Sequence, residues 1–226
     1  MSGGCVIAID GPSGAGKGTV ARAVASALDC RYVDTGAMYR AVAWKAGSEG
    51  WALDDEAAVA GVAARAVFRL DAGRVVIDEH DVTCAIRTPE MDQAAATVAS
   101  LPRVRAALVE RQRELARDGR VVMEGRDIGT VVLPGAPVKI YLDARPEERA
   151  ARRAQDPAHR LSAAAGLAEV ASALEARDRR DRTRHTSPLT QAADAVRIDT
   201  TGVPVDQVVQ RVMQVVRERI PDAPRS

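Results

Sequence analysis

The chain has 226 residues, 46% of them hydrophobic and only 3% aromatic, so one sizeable core built from Val, Leu, Ile and Ala is expected, with room for a small inserted lobe. The formal net charge of +1 lacks the basic excess of a general nucleic-acid or membrane-surface binder, so neither partner is expected. Cys5, Cys30 and Cys84 are widely spaced and the three histidines do not cluster with them, which argues against a zinc site or disulfide framework and suits free thiols in a reducing cytosol.

The first residues show no charged segment followed by an apolar run and a cleavage site, and no apolar run is long enough to cross a bilayer. A cytoplasmic protein is expected. Cys5–Asp10 is a β-branched run of the kind that forms a buried strand. Gly11-Pro12-Ser13-Gly14-Ala15-Gly16-Lys17-Gly18-Thr19 follows it, and Thr19–Leu28 continues as an Ala- and Val-rich helix. A Gly-rich string between a strand and a helix is the context of a P-loop. Its backbone N–H groups turn inward on a β-phosphate, the helix N-terminus adds its positive end, and Lys17 bridges the β- and γ-phosphates. Gly18 stands where the commonest form has a hydroxyl, which comes one place later at Thr19. Direct ligation of Mg²⁺ by the loop is therefore not assigned. The ion is still expected as a neutraliser of the triphosphate, held chiefly by phosphates and water.

Arg31–Asp34 is the second strand. Asp34-Thr35-Gly36-Ala37-Met38-Tyr39-Arg40 sits at its carboxyl end, where open α/β sheets bind ligands. Thr35 and Arg40 suit a monophosphate, the alternative being a helix cap and a solvated arginine. Val67–Leu70 and Arg74–Asp78 flank Asp71-Ala72-Gly73 as a hairpin, Asp81–Ile86 reads as a third short strand, and Thr88-Pro89-Glu90 as a capped helix start. Residues 60–100 are thus expected as an inserted lobe, antiparallel and partly helical, in a core made of residues 1–59 and 101–226.

Pro102–Asp118 repeats apolar positions at Val104, Leu108 and Leu115, with Gly119 placed to stop the helix. Arg120–Glu124 is the third core strand, and Glu124-Gly125-Arg126-Asp127-Ile128-Gly129 leaves its carboxyl end. Arg126 and Asp127 offer a cation and an acceptor on closely approached backbone, the alternative being an ion pair at a turn. Val138–Asp143 and Ala195–Asp199 complete five strands. Pro146, Glu147 and Glu148 suit the first turn of a helix through Arg153, and Ala154–Gly166 reads as a short lid. Arg177–Arg184 carries five arginines and two aspartates, net +3. As a helix it sets Arg177, Asp181 and Arg184 on one face, where they would clamp a phosphate and bond a ribose, unless the run is merely solvated. Val205, Val208, Val209, Val212, Val215 and Val216 mark a C-terminal amphipathic helix. Strands alternating with helices imply a parallel sheet covered on both faces.

Taken in order, the P-loop Gly11–Thr19, Asp34–Arg40, Ile86-Arg87-Thr88, Pro102-Arg103-Val104-Arg105, Glu124–Gly129 and Arg177–Arg184 resemble the bacterial cytidylate kinase family over nearly the whole chain. The resemblance implies an ATP-dependent nucleoside-monophosphate kinase of the P-loop fold, acting as a monomer on CMP or dCMP, with residues 60–100 as its acceptor-binding lobe. It implies that Arg40, Arg126 and Arg184 hold the CMP phosphate, that Arg105 and Asp127 read the cytosine edge, and that Arg177 and Asp181 address the sugar hydroxyls. Lys17, Arg126 and Arg177 would supply catalytic charge. Arg149, Arg152 and Arg153 resemble arginines of the ATP side and lid, Arg153 being the one assigned to ATP. Some family members carry a serine nine residues before the arginine matching Arg105, where this chain has Ala96. Two other readings remain on the residues alone. One is a P-loop kinase of a different acceptor, including an alcohol, for which Asp127 or Asp34 would be the base. The other is a nucleotide-binding switch, which would want a hydroxyl after Lys17 and an N-K-x-D motif; the sequence has neither.

Overall fold

The computed structural model describes residues 4–71, 73–155 and 166–221. Its main sheet is fully parallel, in the order β2-β6-β1-β7-β8: β1 (Cys5–Asp10), β2 (Arg31–Asp34), β6 (Arg120–Gly125), β7 (Val138–Asp143) and β8 (Val196–Asp199). The five core strands read from the sequence are all present. Side chains alternate along each strand, and the two faces receive different helices. Ala8, Val121 and Met123 join a core with α2 (Thr35–Ser48), α3 (Glu56–Arg65), α4 (Pro89–Val98) and α5 (Pro102–Leu115). Ile7, Ile9 and Val122 face a second core with α1 (Lys17–Ala27) and α8 (Val205–Arg219), where Val208, Val212 and Val216 are buried one turn apart. Each such side chain taken from water stabilises the fold by about 1.5–3 kcal/mol before chain entropy is subtracted.

Register makes the site. Asp10 pairs with Gly125 across β1–β6, and Asp34 with Glu124 across β2–β6. The carboxyl ends of three adjacent strands therefore finish in one row, and everything the chain places after them lands on the same sheet edge.

A second, antiparallel sheet comprises β3 (Phe68–Asp71), β4 (Arg74–Ile77) and β5 (His80–Asp81). The strand expected over Asp81–Ile86 stops at Asp81. Thr83 turns back, its backbone N–H and hydroxyl both donating to Asp81 Oδ1, at 3.0 and 2.6 Å, which takes the backbone out of ladder pairing. Two helices go beyond the sequence reading. α2 begins at Thr35 and α3 at Glu56, so residue 60 falls inside α3 rather than at a break. Two more helices, α6 (Pro146–Gln155) and α7 (Leu167–Thr183), lead to and from the expected lid, of which residues 156–165 lie outside the described residues. No helix among the described residues is long and apolar enough to cross a membrane.

Candidate active site

Between β1 and α1 the chain can only be glycine at position 11: a Cβ there would lie 2.0 Å from the Leu142 carbonyl oxygen, at a φ of 147°. The loop then curls so that Ser13–Thr19 line a cavity of about 840 Å³. Lys17 is 6% exposed. Its ammonium donates to the Pro12 carbonyl at 2.7 Å. Burial, with the Arg126 guanidinium nearby, draws its pKa down to about 7.

The glycine at 18 has a packing cause. A Cβ there would meet Glu124 Oε1 at 2.9 Å, and that carboxylate is held in place by the Tyr32 hydroxyl, which donates to it at 2.6 Å. A carboxylate from β6 therefore borders the position a loop hydroxyl has in the commoner motif. Burial first, and the nearby Asp34 second, raise the Glu124 pKa above the usual carboxylate range. Carboxylate oxygens beside a phosphate loop are the donor type a hard cation such as Mg²⁺ takes, although Lys17 and Arg126 already lie near Glu124.

On the acceptor side, Asp34 and not Thr35 caps α2, accepting from the Ala37 N–H at 2.8 Å. Asp34 also accepts from Arg40 Nη2 at 3.2 Å. Thr35 is the first helical residue, and its hydroxyl donates to the Glu124 carbonyl at 2.7 Å. That bond commits its one hydroxyl hydrogen to joining α2 and β6. Asp10 shapes the next segment: its carboxylate accepts from the N–H groups of Ile128 and Gly129 at 2.8 and 2.7 Å. Burial pushes its pKa up to about 6, against those two bonds. The turn so anchored runs into a π-helical turn, Ile128–Val132, the rare backbone form that recurs at functional sites.

This turn delivers Arg126 and Asp127 to the cavity. Arg126 Nε donates to Asp181 Oδ2 at 2.9 Å. Burial alone would lower the Arg126 pKa, but Asp181 and Asp178 outweigh it and hold the group above its ordinary value. The reverse balance at Asp181 leaves its carboxyl below the usual range, since Arg126, Arg177 and Arg184 overcome its burial. Asp127 pairs with Arg105, both nearly inaccessible, and Arg184 Nη2 lies 3.7 Å from the other Asp127 oxygen. The Arg105 guanidinium sits 5.6 Å from the centre of the Tyr39 ring. Burial lowers the pKa of Arg177 and of Arg184. Arg40 Nε and Arg105 Nε are buried without a hydrogen-bond acceptor among the described residues, and both residues line the cavity. A phosphate or base oxygen placed there would recover what such a donor otherwise forfeits, about 1–3 kcal/mol.

All the substrate-side residues read from the sequence, Thr35, Arg40, Arg105, Arg126, Asp127, Arg177, Asp181 and Arg184, therefore line one cavity with Lys17 and Arg153. Arg149 is the exception among the helix-α6 arginines. It is buried below the loop, donating to the Ser13 carbonyl at 3.0 Å and pairing with Asp178, while Arg152 and Arg153 reach the cavity. Asp178 in turn accepts from the Ser13 N–H at 3.2 Å. The sequence reading passed over Asp10, Tyr32 and the loop after β8, where Thr200 and Gly202–Val205 also line the cavity. That loop leaves the carboxyl end of a strand, so the rule that found the other segments applies to it equally.

A phosphate cradle and a basic pocket opening onto one cavity along a parallel sheet edge define a P-loop phosphotransferase. The solved structures agree on the fold alone: an uncharacterized protein from Eubacterium ventriosum superposes with a TM-score of 0.54 at 13% identity, covering 95% of this chain and 99% of that one. Shikimate kinase from Bacteroides thetaiotaomicron does so with a TM-score of 0.51 at 12% identity, covering 94% and 98%. The sequence narrows the class. The family model for cytidylate kinase matches residues 7–218. Cytidylate kinase from Desulfitobacterium hafniense is 48% identical over 95% of this chain and 93% of its own, and that from Solibacter usitatus 45% identical over the same shares. The chain belongs to the cytidylate kinase family, and is thereby an ATP-dependent nucleoside-monophosphate kinase.

Proposed function

We propose that the chain transfers the γ-phosphoryl group of ATP to CMP or dCMP, giving CDP or dCDP in pyrimidine nucleotide metabolism. The observation that carries this reading is the single cavity, in which the P-loop faces the Arg105–Asp127 pair with Arg40, Arg126 and Arg184 also along its wall. ATP would lie over Gly11–Thr19 with Arg153 beside it and its base toward Val203 and Pro204. CMP would hold its phosphate among Arg40, Arg126 and Arg184, its sugar near Arg177 and Asp181, and its base against Arg105 and Asp127. The strands β3–β5 and helix α4 would form the acceptor-binding lobe. We infer a cytoplasmic monomer, a reading that the three free thiols suit as regards compartment.

The acceptor is already an anion, so no strong base is needed and catalysis rests on alignment and charge. Lys17, Arg126 and Arg177 would stabilise the equatorial oxygens of the transferring group. Mg²⁺, bound by phosphates and water with Glu124 and Asp34 as nearby carboxylates, would neutralise triphosphate charge. An alcohol acceptor would need Asp127 or Asp34 as base, and each is engaged by an arginine, Arg105 and Arg40 respectively, which favours the phosphate acceptor.

A coupled ADP-release assay across CMP, dCMP, UMP, AMP and shikimate tests the reading; turnover of shikimate or AMP above that of CMP would reject it. Base choice gives a sharper result. A carboxylate rewards the cytosine amine and faces the uracil carbonyl acceptor to acceptor, leaving buried groups unpaired. At about 1–3 kcal/mol for such a group, kcat/KM should favour CMP over UMP by roughly tenfold to several hundredfold. Asp127→Asn should compress that ratio, because an amide can rotate a donor toward uracil. An unchanged ratio would mean that Asp127 does not read the base.

A further inference from the structure

Three cavity-lining arginines from three elements converge on one carboxylate that does not itself line the cavity. Asp92, in the first turn of α4, lies 3.1 Å from Arg177 Nη1 and 3.7 Å from Arg40 Nη1, and it pairs with Arg153. Arg40 comes from α2, Arg153 from α6 and Arg177 from α7. The acidic residue is thus on the small-lobe side, while two of its partners belong to the helices on either side of the expected lid.

We propose that Asp92 is a positioning residue for phosphoryl transfer, fixing Arg177 above all, with Arg153 and Arg40, in the orientation from which they meet phosphate. The proposal rests on the reading of Arg177 as a phosphate-side residue. The simpler account is that Asp92 complements the positive end of α4, as acidic residues in a first helical turn commonly do. That account does not explain why three guanidiniums from other elements turn toward it. Glu90 shares the same helical turn, and it is exposed.

The physical need is specific. Three like charges lining one pocket repel each other, and Arg177 is deeply buried, with Arg126 and Arg40 opposing its charge. After the cost of burial, Asp92 is the largest influence on Arg177 and the main one favouring its cation. A guanidinium has five N–H donors in a rigid fork. Asp92 lies against one terminal nitrogen of Arg177, one of Arg40 and one of Arg153, and the forks of Arg177 and Arg40 have further donors to turn toward a ligand, Arg40 Nε among them. Without the carboxylate, Arg177 gains by swinging toward water, away from the reacting oxygens. A shift of about 1 Å in a charge-aligning group is enough to cost about a hundredfold in rate.

The test is a double-mutant cycle in the CMP kinase assay. Asp92→Asn keeps the volume and removes the charge. It should lower kcat by about ten- to a hundredfold while the melting temperature stays near wild type, and Asp92→Glu should restore most of the loss. In an Arg177→Ala background the same Asp92→Asn change should cost less than about threefold, because the group through which it acts is gone. Wild-type kcat in Asp92→Asn, or an equal loss in both backgrounds, would overturn the proposal and leave Arg177 in its role. Full activity of Arg177→Ala alone would instead overturn the reading of Arg177, and the proposal with it.

Discussion

Lys17→Ala should reduce turnover by about three orders of magnitude or more while the protein stays folded. In the proposed arrangement, charge that develops on the β–γ bridge oxygen and the transferring group in the transition state would meet the ammonium directly. Single preorganised donors in active sites are worth about 100- to 1000-fold. The fold has little to lose. Lys17 is buried as a cation drawn down from 10.5 to about 7, so its folded pKa lies below its unfolded one. Its burial costs nothing above the unfolded value, and the cost grows as pH falls toward the folded pKa and is complete below it. The alanine variant should therefore melt no lower than the wild type at pH 7. ATP phosphates would raise this pKa again, so binding near pH 8 should take up a proton. Calorimetry in buffers of different ionisation enthalpy reads that uptake, and ATP affinity should weaken as pH rises from 7 to 9. Lys17→Ala should lose the lysine's share of both effects. Near wild-type turnover in the variant would dismiss the loop as the phosphate site.

The segments that carry chemistry were legible because each combines a local backbone signal with its residue type. β-branched runs marked all five core strands, and the glycines between β1 and α1 marked the loop. Helix α2 left no such mark. Its buried residues, Ala37, Met38, Tyr39, Ala41, Val42, Ala43 and Ala46, wrap around most of the cylinder. A helix covered on nearly all sides lacks the one-sided stripe that period 3.6 requires. α3 is shorter and likewise Ala-rich, with Val59, Ala60, Val62 and Ala63 buried.

The arginines were legible, and so were Asp34, Asp127 and Asp181 close to them in sequence, but Asp10, Asp92 and Asp178 were not. Asp10 holds the Arg126–Asp127 turn from 118 residues away, and Asp178 reaches Ser13 across 165. Such pairs are made by strand order and helix docking, and no sequence window contains both partners. They also explain how a pocket this basic fits a chain of net charge +1. Each cluster of guanidiniums is offset locally, by Asp34, Asp92, Asp127, Asp178 or Asp181. Charge counting over the whole chain sees only the sum.

Arg126→Ala should weaken CMP binding and slow transfer together, lowering kcat/KM by about three to four orders of magnitude. Its guanidinium is the one that sits between the two phosphates in the proposed arrangement, leaving the end of β6 beside the P-loop and facing α7. Two of its donors are already used: Nε donates to Asp181 and Nη1 to the Gly125 carbonyl, at 2.9 and 3.3 Å. These bonds fix the plane of the fork, so the remaining donors meet a phosphate with little further ordering cost. Charge-assisted, pre-oriented bonds in a closed site are the strong ones, and one that serves both the acceptor and the transferring group counts in KM and in kcat. Truncation has a second cost. Asp181 keeps its carboxyl low because Arg126, Arg177 and Arg184 surround it. With Arg126 gone, the carboxylate would draw Arg184 and Arg177 toward itself and away from the ligand. Arg126→Lys separates the two effects. It keeps the charge near Asp181 but not the fork, so it should recover stability and part of the CMP affinity while kcat stays low. Calorimetry with CMP and single-turnover transfer measure the two losses independently. CMP affinity and transfer rate both unchanged in Arg126→Ala would remove Arg126 from the site, and the acceptor phosphate would then have to rest on Arg40 and Arg184 alone.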